Sequence, residues 1–200
     1  AEIYTRKAIE INPNFAMAYS NLGKIFQSLG ELKKAEIYTR KAIEINPDFA
    51  MAYSNLGNIF QSRGELQKAE IFTRKAIEID PNFAMAYFNL GNIRKDLGKR
   101  KDSLDSYLRV IEINPQYVYT FSAITDLLRY SDPSQFDKNH LKKILNLCLN
   151  KKDLSHKDLF PAFNFLYKND LITNLEKSGG TFSKIDLITN HKSIMNALEK

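Results

Sequence analysis

Three asparagines, Asn21, Asn55 and Asn89, recur 34 residues apart in a chain of 200, each followed by Leu-Gly. A carboxamide donates to a peptide carbonyl and accepts from a peptide N–H, so a row of three could hold an extended backbone without reading its side chains. The same amides could instead bond to neighbouring elements of their own protein or to water. Neither chemistry needs a cofactor, and catalysis within these residues is not expected. There is no glycine-rich phosphate loop, no metal-ligand spacing and no plausible pairing of nucleophile with base. Cys148 is the single cysteine and lies in an apolar helical pattern (LNLCLN), where a small core side chain is expected. His140, His156 and His191 fall in separate segments.

The elements that position the asparagines come from an internal repeat. Residues 1–34 and 35–68 are identical at all but four places: Asn14/Asp48, Lys24/Asn58, Leu29/Arg63 and Lys33/Gln67. A third copy starts at Ala69 and the period persists to Pro115. A 34-residue period holds two helices and two turns, and one such hairpin cannot bury its apolar face alone, so the chain should stack hairpins. Gly30, Gly64 and Gly98 stand where the first helix must stop and reverse. Asn46-Pro47, Asp80-Pro81 and Asn114-Pro115 end the second, because the residue before proline is pushed out of the α region.

The residues within each period resemble the tetratricopeptide repeat (TPR). Tyr19, Leu22, Gly23, Phe26, Gly30, Ala35, Ala42 and Pro47 fall on that family's positions, and Tyr53, Leu56, Gly57, Phe60, Gly64, Ala69, Ala76 and Pro81 follow. The third unit supplies Tyr87, Leu90, Gly91, Gly98, Tyr107 and Pro115. The resemblance implies an all-α fold, an α-α superhelix closed by a non-repeat helical C-terminal cap. Its parts are the second helix of a truncated repeat (1–15), repeats at 16–49, 50–83 and 84–117, a degenerate repeat helix (118–130) and a helical C-terminal region (131–200). Small residues at Gly23, Gly57 and Gly91, faced by Ala35 and Ala69, should let paired helices approach closely.

Several positions depart from the family. Thr39 and Thr73 replace the second-helix aromatic, with Tyr38 and Phe72 one place earlier, which predicts a shift of register. Arg94 stands in the place of Phe26 and Phe60, Ser103 in that of Ala35, and Val110 in that of Ala42, so the third hairpin should pack less regularly. A fourth first helix is expected over Tyr119 to Arg129, although Thr125 replaces glycine there. Asp132-Pro133-Ser134-Gln135 reads as the start of a helix carrying Leu141, Ile144, Leu145 and Cys148. Ser155 with Asp158 reads as another, delayed or kinked by Pro161. Further short helices are expected around Leu171–Leu175, after Ser183, and at Ile194–Leu198.

In the resembled family the first helices line a concave groove that contacts a partner segment. Carried over, that role falls to Met17, Ser20, Asn21, Lys24, Gln27 and Ser28, then to Met51, Ser54, Asn55, Asn58, Gln61 and Ser62. Met85, Phe88, Asn89, Asn92, Lys95 and Asp96 complete it. The asparagine row is similar to the ladder in the repeat arrays of O-linked N-acetylglucosamine transferases. Members that grip acidic C-terminal tails use a clamp of Lys, Asn and Arg. Here Ser20, Ser54 and Phe88 occupy the place of one clamp lysine, which argues against a carboxylate clamp. The methionines offer an adaptable apolar strip or support packing.

The expected function is a protein-protein interaction scaffold that takes a protein or peptide along this groove. The alternative is a substrate-recognition or assembly arm of a larger multidomain enzyme of transferase type, its catalytic domain lying outside this sequence. The abrupt helical opening suits an excised piece, and an uncapped repeat end, with Ile3, Ala8 and Ile9 lacking their partner, suits self-association. Nucleic acid is not an expected partner. The net charge of +6 is spread as 13 basic and 11 acidic residues in 1–98 against 16 and 12 in 99–200. No run of apolar residues is long enough for a membrane span, no signal-peptide layout is present, and a cytoplasmic location is expected.

Overall fold

A computed structural model describes residues 1–149 and 156–167. Among these every regular element is helical. In order they are α1 (Glu2–Ile11), α2 (Ala16–Ser28), α3 (Leu32–Ile45), α4 (Ala50–Ser62), α5 (Leu66–Ile79), α6 (Ala84–Asp96), α7 (Arg100–Ile113), α8 (Tyr119–Arg129) and α9 (Lys138–Leu149). Short 3-10 turns lie at Pro133–Gln135 and His156–Leu159, and residues 160–167 are helical. The chain divides into two compact units, residues 1–120 and 121–200.

In the first unit each hairpin is punctuated as its turn chemistry requires. Gly30 has φ +76°, the left-handed region that a side chain resists. Its N–H donates to the Gln27 carbonyl at 3.0 Å and that of Glu31 to the Phe26 carbonyl at 2.9 Å, which together close the end of α2. Gly64 and Gly98 repeat the conformation. At the other end Asn46 leaves the helix at φ −134°, ψ 96°, and its Oδ1 accepts from the Asp48 N–H at 3.0 Å. Asp80 and Asn114 do the same for the N–H groups of Asn82 and Gln116. The Asx-Pro pair therefore both stops the helix and satisfies the turn.

The close approach inside each hairpin is literal. A Cβ on Gly23 would lie 2.1 Å from Thr39 Oγ1 and 3.1 Å from the Ala35 carbonyl oxygen, and Gly57 meets Thr73 and Ala69 in the same way. The aromatic register has shifted as expected: Tyr38 stacks on Phe26 at 5.2 Å and Phe72 on Phe60 at 5.3 Å between ring centroids. Each seam between hairpins has an apolar core. Leu22, Phe26 and Ala35 share a core cluster with Ile59 of the next hairpin, and Leu56, Phe60 and Ala69 share theirs with Ile93.

The third hairpin replaces the stacked rings with polar bonds. Arg94 and Ser106 occupy the positions of Phe60 and Phe72, and Arg94 Nη1 donates to Ser106 Oγ at 2.7 Å. The Arg94 charge is met by Glu70 of the preceding hairpin at 3.3 Å, and Lys99 and Arg74 reach the same carboxylate at 2.7 and 3.2 Å. Burial alone would push the Glu70 carboxyl up, but hydrogen bonds from Lys99 and Arg94, with the charges of Lys99 and Arg74, outweigh it and hold it below its usual value. Tyr107 fills the place of Thr39 and Thr73 and lies so close that a Cβ on Gly91 would sit 2.4 Å from its ring.

In the second unit Phe121, Ile124, Leu127 and Leu128 of α8 are buried, as are Leu141, Ile144, Leu145 and Cys148 of α9. Asp132 is a cap, but of the 3-10 turn rather than of α9: it accepts from the Ser134 N–H at 2.9 Å, and Phe136 then breaks the path with an extended backbone. The long helix starts at Lys138, with Asp137 accepting from the His140 N–H at 2.9 Å. Pro161 falls at the start of helix 160–167, where a missing N–H costs nothing. Arg129 pairs with Asp158. Ser155, His191 and the helices expected beyond residue 168 lie outside the described residues.

Candidate functional site

The first helices of the hairpins, α2, α4 and α6, lie side by side, and the side chains they turn toward one another form a polar lattice. Asn55 Nδ2 donates to Ser20 Oγ at 2.9 Å, and Asn89 Nδ2 donates to Ser54 Oγ at 3.0 Å. One turn further on, Gln27 Nε2 donates to Ser62 Oγ at 3.2 Å and Gln61 Nε2 to Asp96 Oδ2 at 2.6 Å. Each bond joins one hairpin to the next.

This lattice sorts the residues expected to meet a partner. Asn21 and Lys24 are exposed, Asn55, Asn58, Gln27 and Gln61 are half-buried, and Asn89 retains only 9% of its surface. Met17 and Met85 are exposed and Met51 is half-buried. Asn92 is engaged within its own hairpin, its Oδ1 accepting from the Tyr107 hydroxyl at 2.7 Å. Ser20 and Ser54, expected on the open face, are instead buried at 0% and 1% exposure, because each lies under the asparagine of the following hairpin. Phe88, which holds the equivalent place in the third hairpin, packs against Tyr107 and Tyr117 at 5.9 and 5.3 Å between ring centroids.

The serine partners of Asn55 and Asn89 were missed in the sequence, although the signal was present. Serine is a poor choice for a helix interior unless its hydroxyl is used, and it recurs one residue before each of the first two asparagines. Chemically the face is polar and nearly neutral. On α2 and α4 together Lys24 is the one charged residue, and on α6 the charges are Arg94, held by Glu70 and Ser106, with Lys95 and Asp96. Among the described residues no cluster of three His, Cys, Asp or Glu side chains could hold a metal. Among them, too, no helix is long and apolar enough to cross a membrane.

Stacked two-helix hairpins with glycine at the crossing and Asx-Pro between units define a helical repeat array. Residues 16–49 and 50–83 match the tetratricopeptide repeat family, as do residues 72–103, and this part of the chain is built of tetratricopeptide repeats. The fold agrees with solved structures. YrrB, described as a TPR protein with an unusual peptide-binding site, aligns over 85% of each chain at 23% identity and TM-score 0.65. The first TPR of Spaghetti (RPAP3), solved with the HSP90 peptide SRMEEVD, aligns over 56% of this chain and 89% of its own at 19% identity and TM-score 0.53. An O-GlcNAc transferase of Thermobaculum terrenum aligns over 68% of this chain but 25% of its own, at 24% identity and TM-score 0.58. Comparison with curated proteins finds no match.

Proposed function

We propose that this protein is an interaction scaffold, and that α2, α4 and α6 take an extended segment of a protein or peptide along their shared face. The observation that carries the reading is the row of equivalently placed carboxamides, two of them held in place by the preceding hairpin. Exposed Asn21 and Lys24 and half-buried Asn55, Asn58, Gln27 and Gln61 would make the polar contacts, and Met17, Met51 and Met85 would supply adaptable apolar surface. The near-neutral face favours a segment held by its backbone over an acidic tail.

The test is capture of linear peptides by the parent protein and by a variant carrying Asn21→Ala and Asn55→Ala, both checked for helix content. Peptides retained by the parent and lost by the variant support the reading. Equal retention moves the binding surface elsewhere.

A second reading, an arm that presents partners to a larger transferase, is favoured by the alignment with the O-GlcNAc transferase. It predicts that fusing or adding this chain changes which proteins such an enzyme modifies without changing turnover on a short peptide. Self-association is favoured by α1, which buries no residue and leaves Ile3, Tyr4 and Ile11 exposed. Sedimentation showing one monomeric species at all concentrations would remove it.

A further inference from the structure

The buried serines carry the next step, which rests on the reading of the α2, α4 and α6 face as a peptide site. We infer that Ser20 is a positioning residue for peptide binding, and that Asn55 is the rung that reads the backbone of the bound segment.

A free asparagine on a helix surface turns about two side-chain bonds, and ordering it on binding costs affinity. Asn55 is already ordered: its Nδ2 donates to Ser20 Oγ at 2.9 Å, and Ser20 is wholly buried, so its hydroxyl holds a fixed place. That bond uses one of the two amide hydrogens. The second hydrogen and the carbonyl oxygen remain for a peptide C=O and N–H, with the plane of the amide set in advance. The three rungs thus differ. Asn21 is exposed, Asn55 is held by Ser20 and half-buried, and Asn89 is held by Ser54 but nearly closed at 9% exposure. Of the two rungs held by a serine, Asn55 combines order with access.

The ligand class is an extended, uncharged peptide, and the probe is a linear peptide selected on the parent protein from a random displayed library. Its Kd is measured for the parent, Ser20→Ala, Asn55→Ala and the double variant, alongside the exchange rate of the Asn55 side-chain amide by NMR. Ser20→Ala should speed that exchange and weaken binding roughly three- to tenfold, the cost of ordering one polar side chain. Because serine acts through the amide, the double variant should bind no worse than Asn55→Ala alone. Replacing single peptide bonds of the probe with esters should reveal one bond whose loss matters in the parent and not in Asn55→Ala.

Unchanged binding by Ser20→Ala, while Asn55→Ala is impaired, overturns the positioning role and leaves the peptide site standing. Additive losses in the double variant overturn it as well. A library that yields no peptide sensitive to Asn55→Ala removes the site reading and this inference with it.

Discussion

Replacing Gly57 with alanine tests whether contact between paired helices sets the hairpin geometry. The added Cβ would lie 2.2 Å from Thr73 Oγ1, 3.2 Å from the Ala69 carbonyl oxygen and 3.4 Å from Thr73 Cβ, all in a buried wall. Overpacking of this kind costs about 1–3 kcal/mol, and the shortest distance puts it at the upper end. Alanine also gains about 1 kcal/mol over glycine in a helix interior, so the expected net loss is about 2 kcal/mol. The offending atom can be removed. Thr73 Oγ1 is buried with no hydrogen-bond partner among the described residues, so Thr73→Ala alone should cost little. With Oγ1 gone, the nearest remaining contact of the new Cβ is the Ala69 carbonyl oxygen at 3.2 Å, and small adjustments of α4 against α5 relieve it. The double variant Gly57→Ala/Thr73→Ala should therefore recover most of the loss. Equilibrium urea unfolding followed by circular dichroism measures all four proteins. A double variant no more stable than Gly57→Ala would refute the account, because the hairpin spacing would then be set by something other than this pair.

At Gly64, where φ is +76° and nothing lies within 4 Å of a new Cβ, alanine should lose about 1 kcal/mol through backbone strain alone. Asparagine should lose less than alanine, and equal losses would show that conformation is not the cause. Arg94→Ala should destabilise the third hairpin, and Arg94→Phe with Ser106→Tyr should recover part of that by rebuilding the ring pair seen at Phe26 and Tyr38; urea midpoints decide the matter. The depressed pKa of Glu70 fixes the sign of a pH effect: its contribution is complete above the ordinary glutamate value of 4.5 and is lost as pH falls through the lower folded value. Thermal unfolding of Glu70→Gln should consequently show a shallower acid limb than the parent, and parallel limbs would count against the network.

The helix boundaries were legible because the residues that make them have few other conformations available. Glycine at φ +76° and an asparagine before proline state the turn directly, and both turned up at the expected numbers. The shift of aromatic register was legible as well, since Tyr38 and Phe72 sit one place from where a ring belongs. What escaped was the pairing of polar side chains across hairpins. Arg94 in an aromatic position announces irregularity, but that Glu70 from the previous hairpin and Ser106 from the same one meet it depends on helix-to-helix distance, which no local pattern carries. Arg63 teaches the same point. It is one of four differences between the first two copies, standing where the first has exposed Leu29, and its Nη1 reaches Glu36 Oε2 of the preceding hairpin at 2.5 Å. The start of α9 was misplaced for a local reason, because Asp132 and Pro133 form a cap and first turn in a 3-10 segment as readily as in an α-helix.

The side-chain bonds between first helices share a further property that bears on recognition. Ser20 to Asn55, Ser54 to Asn89, Gln27 to Ser62 and Gln61 to Asp96 all span 35 residues, one more than the repeat. A constant excess of one means that each first helix is offset from its predecessor by the same step at both interfaces. The offset holds although the hairpin packed behind α6 has exchanged its stacked rings for an arginine and a serine. Stacking order on this face is thus insulated from changes on the other side of the hairpin. It follows that a ligand held by successive rungs meets the same displacement each time, and a chain with a uniform backbone repeat can satisfy that, whereas a compact ligand with a single polar group cannot. Under the proposed peptide-site reading, the geometry of the rungs therefore favours an extended polymer over a small molecule on grounds that do not depend on the identity of any one side chain.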